Sequence, residues 1–345
     1  MQFPKEIFDL IFLSLSRHDL WALSLVSRRL NEITSPTLYK TIIISLWCGV
    51  TLPAKFIRSL VLDDSEHSKI HLIQNVILLA HVEPSESSTE RIWEDGTRRL
   101  VNEFVFAFLL KLEDGQLRKF IWRSTLNPAG RILYHLANHH GSSLECLYFD
   151  KLADIKFYDI PEFSKFSSLR ALRWGKVESL KDIPALLEML KASEKSLRSL
   201  SVDYALETGY SDAEFKALGQ YDDITLGNLV EYQTPIRGLG CQIVNPMVPV
   251  NRIQRFRLTN PEQKAYVLDL IASFDEPVEL VFNYTTGSPE NIEHSLSHYA
   301  GNSLKILSIC TAQKYPDDSF NGYLSTERLA NLGRGCPNLV ELLIS

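Results

Sequence analysis

Leu144-Glu145-Cys146-Leu147-Tyr148-Phe149 is the stretch on which the reading of most of this chain turns. Its apolar residues are Leu144, Leu147 and Phe149, and the alternation from Leu147 to Phe149 is that of a strand with one buried face. The apolar-x-x-apolar-x-apolar phrase occurs earlier as Ile57, Leu60, Leu62 and as Leu117, Phe120, Trp122. It returns as Leu169, Leu172, Trp174, then Leu197, Leu200, Val202, then Ile253, Phe256, Leu258. The last copies are Leu304, Leu307, Ile309 and Leu339, Leu342, Ile344. Leu226 and Leu229 form a weaker copy, and Val278-Glu279-Leu280-Val281-Phe282 is a further strand candidate. One such phrase occurs by chance; eight in near-register do not.

From Leu117 the first positions are spaced by 27, 25, 28, 29 and 27 residues, then by 51, with the Val278 strand midway, and then by 35. Periods in the twenties with L-x-x-L-x-L are the signature of leucine-rich repeats, in which each strand is followed by a helix or turn. The segments before the strands agree as well. Residues 132–144 align with 292–304, each an amphipathic helix expected to stop at Gly141 or Gly301 in the left-handed C-cap conformation. Residues 185–197 and 327–339 share that helix-then-strand layout. A unit of this kind has a face it cannot bury alone, and stacking neighbours makes one continuous core.

Two interruptions stand out. Residues 83–99 are polar, Ser-rich and acidic at their start, which predicts a surface loop. Residues 233–251 hold Pro235, Pro246, Pro249, Gly238 and Gly240, which predicts a long crossing loop or a hinge between subdomains. The last phrase runs directly into Ser345 without a polar capping unit, so the array is expected either to stop short or to be closed by something else.

The first forty residues follow another pattern. In Phe3-Pro4-Lys5-Glu6-Ile7-Phe8-Asp9-Leu10-Ile11-Phe12-Leu13-Ser14-Leu15, the apolar residues Ile7, Leu10, Ile11 and Leu15 fall at helical spacing, with Pro4 suited to a helix start. Asp19 reads as the N-cap of a second helix carrying Leu20, Leu23 and Val26, and Ser27 as the cap of a third with Leu30 and Ile33. Ser35-Pro36 reads as N-cap and first position of a fourth piece holding Leu38 and Tyr39. A module this small buries its own apolar surface poorly. Phe8, Phe12, Leu13 and Trp21 leave apolar side chains all round the first two helices, either as the first layer of a larger core or as a docking surface.

These residues carry a resemblance. Pro4, Glu6-Ile7, Ile11-Phe12, Leu15, Asp19-Leu20, Leu23, Leu25-Val26-Ser27-Arg28-Arg29, Asn31, Pro36 and Leu38-Tyr39 together resemble the F-box, in the form common in fungal proteins. Phe3 stands where that family usually has Leu. The resemblance implies docking onto the Skp-family adaptor of an SCF-type cullin–RING ubiquitin ligase through the apolar residues of the short helices. Pro4, Ile7, Ile11, Leu15, Leu20, Leu23 and Val26 are the expected adaptor contacts.

Composition narrows the remaining classes. Of 345 residues, 45% are hydrophobic and 23% charged, which excludes wholesale disorder. The longest apolar-rich stretch, 100–112, contains Asn102 and Glu103 and is shorter than the ~20 residues a bilayer crossing needs, so no membrane partner is expected. The charged N-terminus is unlike a signal peptide. With 36 basic against 42 acidic residues, the net charge of −6 argues against a general nucleic-acid binder. Cysteines 48, 146, 241, 310 and 336 form neither a metal knuckle nor a redox pair, which fits cytoplasm or nucleus.

Catalytic patterns were sought and none emerged. His135 and His139 share a helical face, but no Glu completes an H-E-x-x-H arrangement and no third ligand is near. No GxGxxG, Walker-type or G-x-S-x-G sequence occurs. Gly333-Arg334-Gly335-Cys336-Pro337 reads as a helix exit, and Asp63-Asp64, Asp222-Asp223 and Asp317-Asp318 as solvated turns. Neither metal nor cofactor is expected.

The expected fold is α/β: a short all-α N-terminal module at 1–45, then a leucine-rich-repeat-like solenoid of strand–helix units at 50–345. The resemblance makes the chain a non-catalytic substrate receptor of the ligase. The alternatives are an F-box scaffold acting outside the ligase, and a repeat protein whose first helices merely cap the array. Outward strand positions Arg118, Lys119, Tyr148, Arg170, Arg173, Arg198, Arg255, Arg257 and Lys305 are candidate target contacts, with Glu145 the acidic member. They form a basic stripe suited to an acidic or phosphorylated peptide, or else a solvated face that blocks edge pairing.

Overall fold

Three helices, rather than four, build the N-terminal segment: α1 (Lys5–Ser14), α2 (Arg17–Val26) and α3 (Arg28–Tyr39). They belong to a computed structural model that describes residues 5–47, 69–81, 88–124, 126–150, 163–177, 183–204, 224–235, 247–259, 271–284, 296–311 and 326–344. The cap of α2 is Ser16, not Asp19. Ser16 Oγ accepts from the Asp19 N–H at 3.2 Å, and Asp19 Oδ2 accepts from the Ser16 N–H at 3.2 Å, a reciprocal capping box. Those hydrogen bonds hold the Asp19 carboxyl below its ordinary pKa. Ser27, in extended conformation, ends α2 and caps α3 through its Oγ and the Leu30 N–H. Pro36 does not start a new helix. It lies exposed inside α3, while the hydroxyl of Thr34 donates to the Leu30 carbonyl at 2.8 Å and that of Ser35 to Asn31 Oδ1 at 3.0 Å.

Two compact units divide the chain, Met1–Ser168 and Leu169–Ser345. In the first, α3 leads directly into β1 (Thr41–Trp47), followed by β2 (Asn75–His81), α4 (Ser88–Leu109), β3 (Lys119–Ser124), α5 (Gly130–His135) and β4 (Cys146–Phe149). Each strand pairs in parallel with its sequence neighbour. The second unit contains β5 (Ala171–Val177), α6 (Ile183–Ser193), β6 (Ser199–Tyr204), β7 (Glu231–Pro235), β8 (Arg255–Thr259), β9 (Glu279–Tyr284), β10 (Ile306–Thr311), α7 (Thr326–Gly335) and β11 (Glu341–Ile344). Its strands too are parallel and paired in chain order.

The apolar phrase explains the packing. In the first unit Ile42, Val76, Phe120 and Leu147 form one buried row and Ile44, Leu78, Trp122 and Phe149 the next. In the second, Leu172, Leu200, Tyr232, Phe256, Leu280 and Leu307 line up in the same way. The residue before the phrase is often polar and ties one strand lead to the last. Gln116 Nε2 donates to the Ile73 carbonyl (2.6 Å), Ser143 Oγ to Leu117 (2.8 Å), and Ser168 Oγ to Ser142 (2.6 Å). In the second unit Ser196 Oγ donates to Leu169 (2.7 Å), Asn228 Nδ2 to Lys195 (2.8 Å) and Asn338 Nδ2 to Asn302 (2.7 Å). Each bond satisfies a carbonyl that strand pairing leaves unused.

Several expectations change. The Ile57 phrase lies outside the described residues, while β1 and β2 are strands the sequence reading did not include. The seventh strand begins after Leu229, so its inner residues are Tyr232 and Thr234 rather than Leu226 and Leu229. Residues 88–99, expected in a loop, extend α4 by continuing the turn that the packed Val101, Val105, Phe108 and Leu109 stabilise. Buried Asn102 fastens that helix to the chain after β3: its Nδ2 donates to the Asn127 carbonyl at 3.2 Å and its Oδ1 accepts from the Ala129 N–H. Of 233–251, residues 236–246 lie outside the described set.

Gly141 and Gly301 are not left-handed caps; among the described glycines only Gly115 has positive φ, at 74°. Gly141 is right-handed (φ −55°) and is needed for close approach. A Cβ there would stand 2.5 Å from the Ala137 carbonyl oxygen and 2.9 Å from that of Lys165. At Gly301 it would stand 2.1 Å from the Gly335 carbonyl oxygen. Gly141→Ala is therefore expected to lower stability by roughly 1–3 kcal/mol in urea unfolding, the ordinary cost of forcing atoms into a filled site. Gly227→Ala, with nothing within 4 Å of the new carbon, is expected to stay within about 0.5 kcal/mol of the parent.

Candidate docking surface

Phe12, Leu20 and Leu38, one from each helix, form the buried centre of the N-terminal module, with Phe8, Leu15, Leu23, Ile33 and Tyr39 packed against them. On α1 the inward residues Phe8, Phe12 and Leu15 recur every three to four positions, and Ile7 and Ile11 occupy the opposite stripe. On α2 Leu20, Leu23 and Ser24 face in, leaving Trp21, Leu25 and Val26 outside. Exposure reaches 40% at Ile7, 46% at Ile11, 52% at Trp21, 65% at Leu25 and 69% at Val26. At about 25 cal/mol per Å2 each of these side chains would contribute on the order of 1–2 kcal/mol if a partner covered it.

The seven expected adaptor contacts thus separate. Ile7, Ile11 and Val26 are exposed; Leu15 and Leu23 are half-buried against the module's core; Leu20 is 5% exposed and belongs to that core. Pro4 lies outside the described residues. Trp21 and Leu25 enter the exposed set, and their i, i+4 spacing opposite Leu20 is the signal that finds them. The module is fastened to the first unit's sheet. The Lys40 carbonyl, at the end of α3, accepts from the Gln74 and Asn75 N–H groups at 2.9 Å each.

The candidate target contacts fall into both units. In the first, Arg118 lies 3.9 Å from Glu145 and donates to the Ser143 carbonyl, while half-buried Lys119 and Tyr148 stand beside Cys146 and Ile121 in register. In the second, Arg170, Arg198 and Lys305 each precede a strand, and Arg173, Arg255 and Arg257 lie within strands. Arg255 is an ion-paired residue: its guanidinium bonds Glu231 on one side and lies 3.9 Å from Glu279 on the other. The shifted start of β7 places Glu231 there, so Glu145 is not the only acid among the outward positions.

Residues 2–45 match the family model described as F-box-like. The chain therefore carries an F-box-like N-terminal domain, over the segment whose outer apolar stripes are described above. No curated protein matches the chain.

His135 and His139, the pair with metal-ligand spacing, stack ring on ring at 4.3 Å. His139 Nδ1 lies 2.8 Å from Asp114 Oδ1 and His135 Nε2 lies 3.2 Å from the Leu109 carbonyl. No group of three metal-binding side chains occurs among the described residues. His140, fully buried, meets the edge of His135 at 5.6 Å, and neither of its ring nitrogens has a hydrogen-bond partner. Burial first, then the neighbouring His135 and His139, pushes its pKa down to about 4. An unfolded chain binds that proton near pH 6.5 and the folded one does not, so stability falls as pH drops from about 6.5 towards 4. His140→Leu is expected to remove roughly 2–3 kcal/mol of that loss, read from urea midpoints at pH 7.5 and pH 4.5. Equal pH slopes in parent and variant would contradict it.

Proposed function

We propose that this chain is a substrate-recognition subunit of an SCF-type cullin–RING ubiquitin ligase. The observation that carries the reading is the agreement between the F-box-like match at 2–45 and the exposed apolar residues that the three helices leave over after building their core. In this reading Ile7, Ile11, Trp21, Leu25 and Val26 insert into a Skp-family adaptor. Leu20 shapes the surface from within, and Leu15 and Leu23 contribute their outer edges. The stacked parallel strands, read as irregular leucine-rich repeats, present the target to the ubiquitin-loaded enzyme that the ligase supplies. The chain's own part is binding and positioning, without catalysis, in cytoplasm or nucleus.

Support for a receptor comes from the order of parts. The module's last helix runs straight into a strand, and the shared Lys40 carbonyl joins them, so the docking helices are held to the sheet of their own unit without a linker. A receptor needs such a rigid arm, because the target must arrive at a fixed distance from the transfer site.

The test is co-purification of the full chain with a Skp-family adaptor and its cullin. Ile11→Asp and Leu25→Asp, both at exposed positions, are each expected to weaken adaptor capture about 30-fold or more, the cost of losing a contact worth roughly 2 kcal/mol, with an unchanged circular dichroism spectrum. Unchanged capture by both variants would overturn the docking face. Adaptor recovered without cullin would identify a scaffold outside the ligase.

A further inference from the structure

Two outward rows of the second unit differ in charge. The row that opens the strands contains Glu231, Arg255 and Glu279 side by side, and the arginine is held between the two carboxylates. Two residues further along the strands lies the row Arg173, Ser201, Gln233, Arg257, Val281 and Ser308. None of these is acidic. Arg173 is flanked by buried Leu172 and Trp174, and Arg257 by buried Phe256 and Leu258, so both guanidiniums project from the face opposite the core. The row closes at one end, where Val281 is 8% and Ser308 6% exposed, and stays open from β5 to β8.

We infer that this open stretch, from Arg173 to Arg257, is the target-recognition row, and that it takes an extended peptide with two acidic or phosphorylated residues four positions apart. The inference rests on the receptor reading above and names its substrate class. Three strand steps of about 4.8 Å separate the two arginines, or ~14 Å, and an extended chain covers that distance in about four residues. Each guanidinium meets one anion bidentately, and the Ser201 hydroxyl and Gln233 amide between them supply donors to the intervening backbone. The flanking row sets the selectivity. Glu231 and Glu279 beside Arg255 repel a polyanion with charge at every step, such as a nucleic-acid strand, and tolerate a peptide whose charges fall only over the arginines.

The probes are fluorescein-labelled Gly/Ser dodecapeptides carrying two phosphoserines at i and i+4, the same two at i and i+1, or none, with an oligothymidylate as the polyanion. Anisotropy with the full chain should show the i, i+4 peptide binding at least tenfold more tightly than the other three. Arg257→Glu and Arg173→Glu should each weaken it at least tenfold, Arg257→Gln by less, and Arg255→Gln by no more than twofold. Equal affinity for all phosphopeptides, tighter binding of the oligonucleotide, no phosphopeptide binding, or indifference to both Arg→Glu changes would overturn the inference. Adaptor co-purification from the same preparations separates the two claims: retained capture with failed peptide binding removes the recognition row and leaves the receptor reading standing.

Discussion

The carbonyl one residue ahead of a strand accepts two N–H groups from the lead of the next strand, and the register of each unit depends on that shared acceptor. In the first unit Gln74 serves Arg118 and Lys119, and Arg118 serves Glu145 and Cys146. In the second, Arg170 serves Arg198 and Ser199, Val230 serves Gln254 and Arg255, and Lys305 serves Val340 and Glu341. A slip of one residue would turn every inward leucine to solvent, so this rung decides which side chains form the core and which remain available for binding. The Ser, Asn and Gln side chains just before the apolar phrase add a second tie to the same connection.

The N-terminal module shows the opposite economy of burial. Three short helices have one small core, and the capping box at Ser16 and Asp19 sets the phase in which α2 presents its residues to it. Once Leu20 and Leu23 are committed inward, Trp21 and Leu25 have no place within the module. A surface of that kind is stable in water only at a cost that a partner relieves. The module's apolar excess and its family match therefore describe one property from two directions.

Much of this architecture is readable from residues alone, and the exceptions have physical causes. The strands headed by Leu117, Leu144, Leu169, Leu197, Ile253 and Leu304 declare themselves because all three inner positions are apolar. The seventh strand hides because Thr234 occupies an inner position, and β1 because it follows a helix with no leading phrase of its own. Ile73, Val76 and Leu78 do carry the phrase in β2. Gly96 and the surrounding charges disguise the start of α4, whose helicity derives from packing further along. For the docking face, the apolar residues of α2 surround so much of the helix that composition cannot phase them. Placing the cap at Asp19 instead of Ser16 shifts the phase by three residues and assigns Leu20 to the wrong side. The pairing of Arg255 with Glu231 required the observed register of β7.

The central claim, that the outer stripes of α1 and α2 are an adaptor-binding face, is tested most directly by hydrogen exchange of the full chain with and without a Skp-family adaptor. The expected result is added protection in peptides from Lys5–Ser14 and Arg17–Val26, with strands Lys119–Ser124 and Ser199–Tyr204 exchanging as before. Protection confined to the strands, or none in the two helices at saturating adaptor, would contradict it.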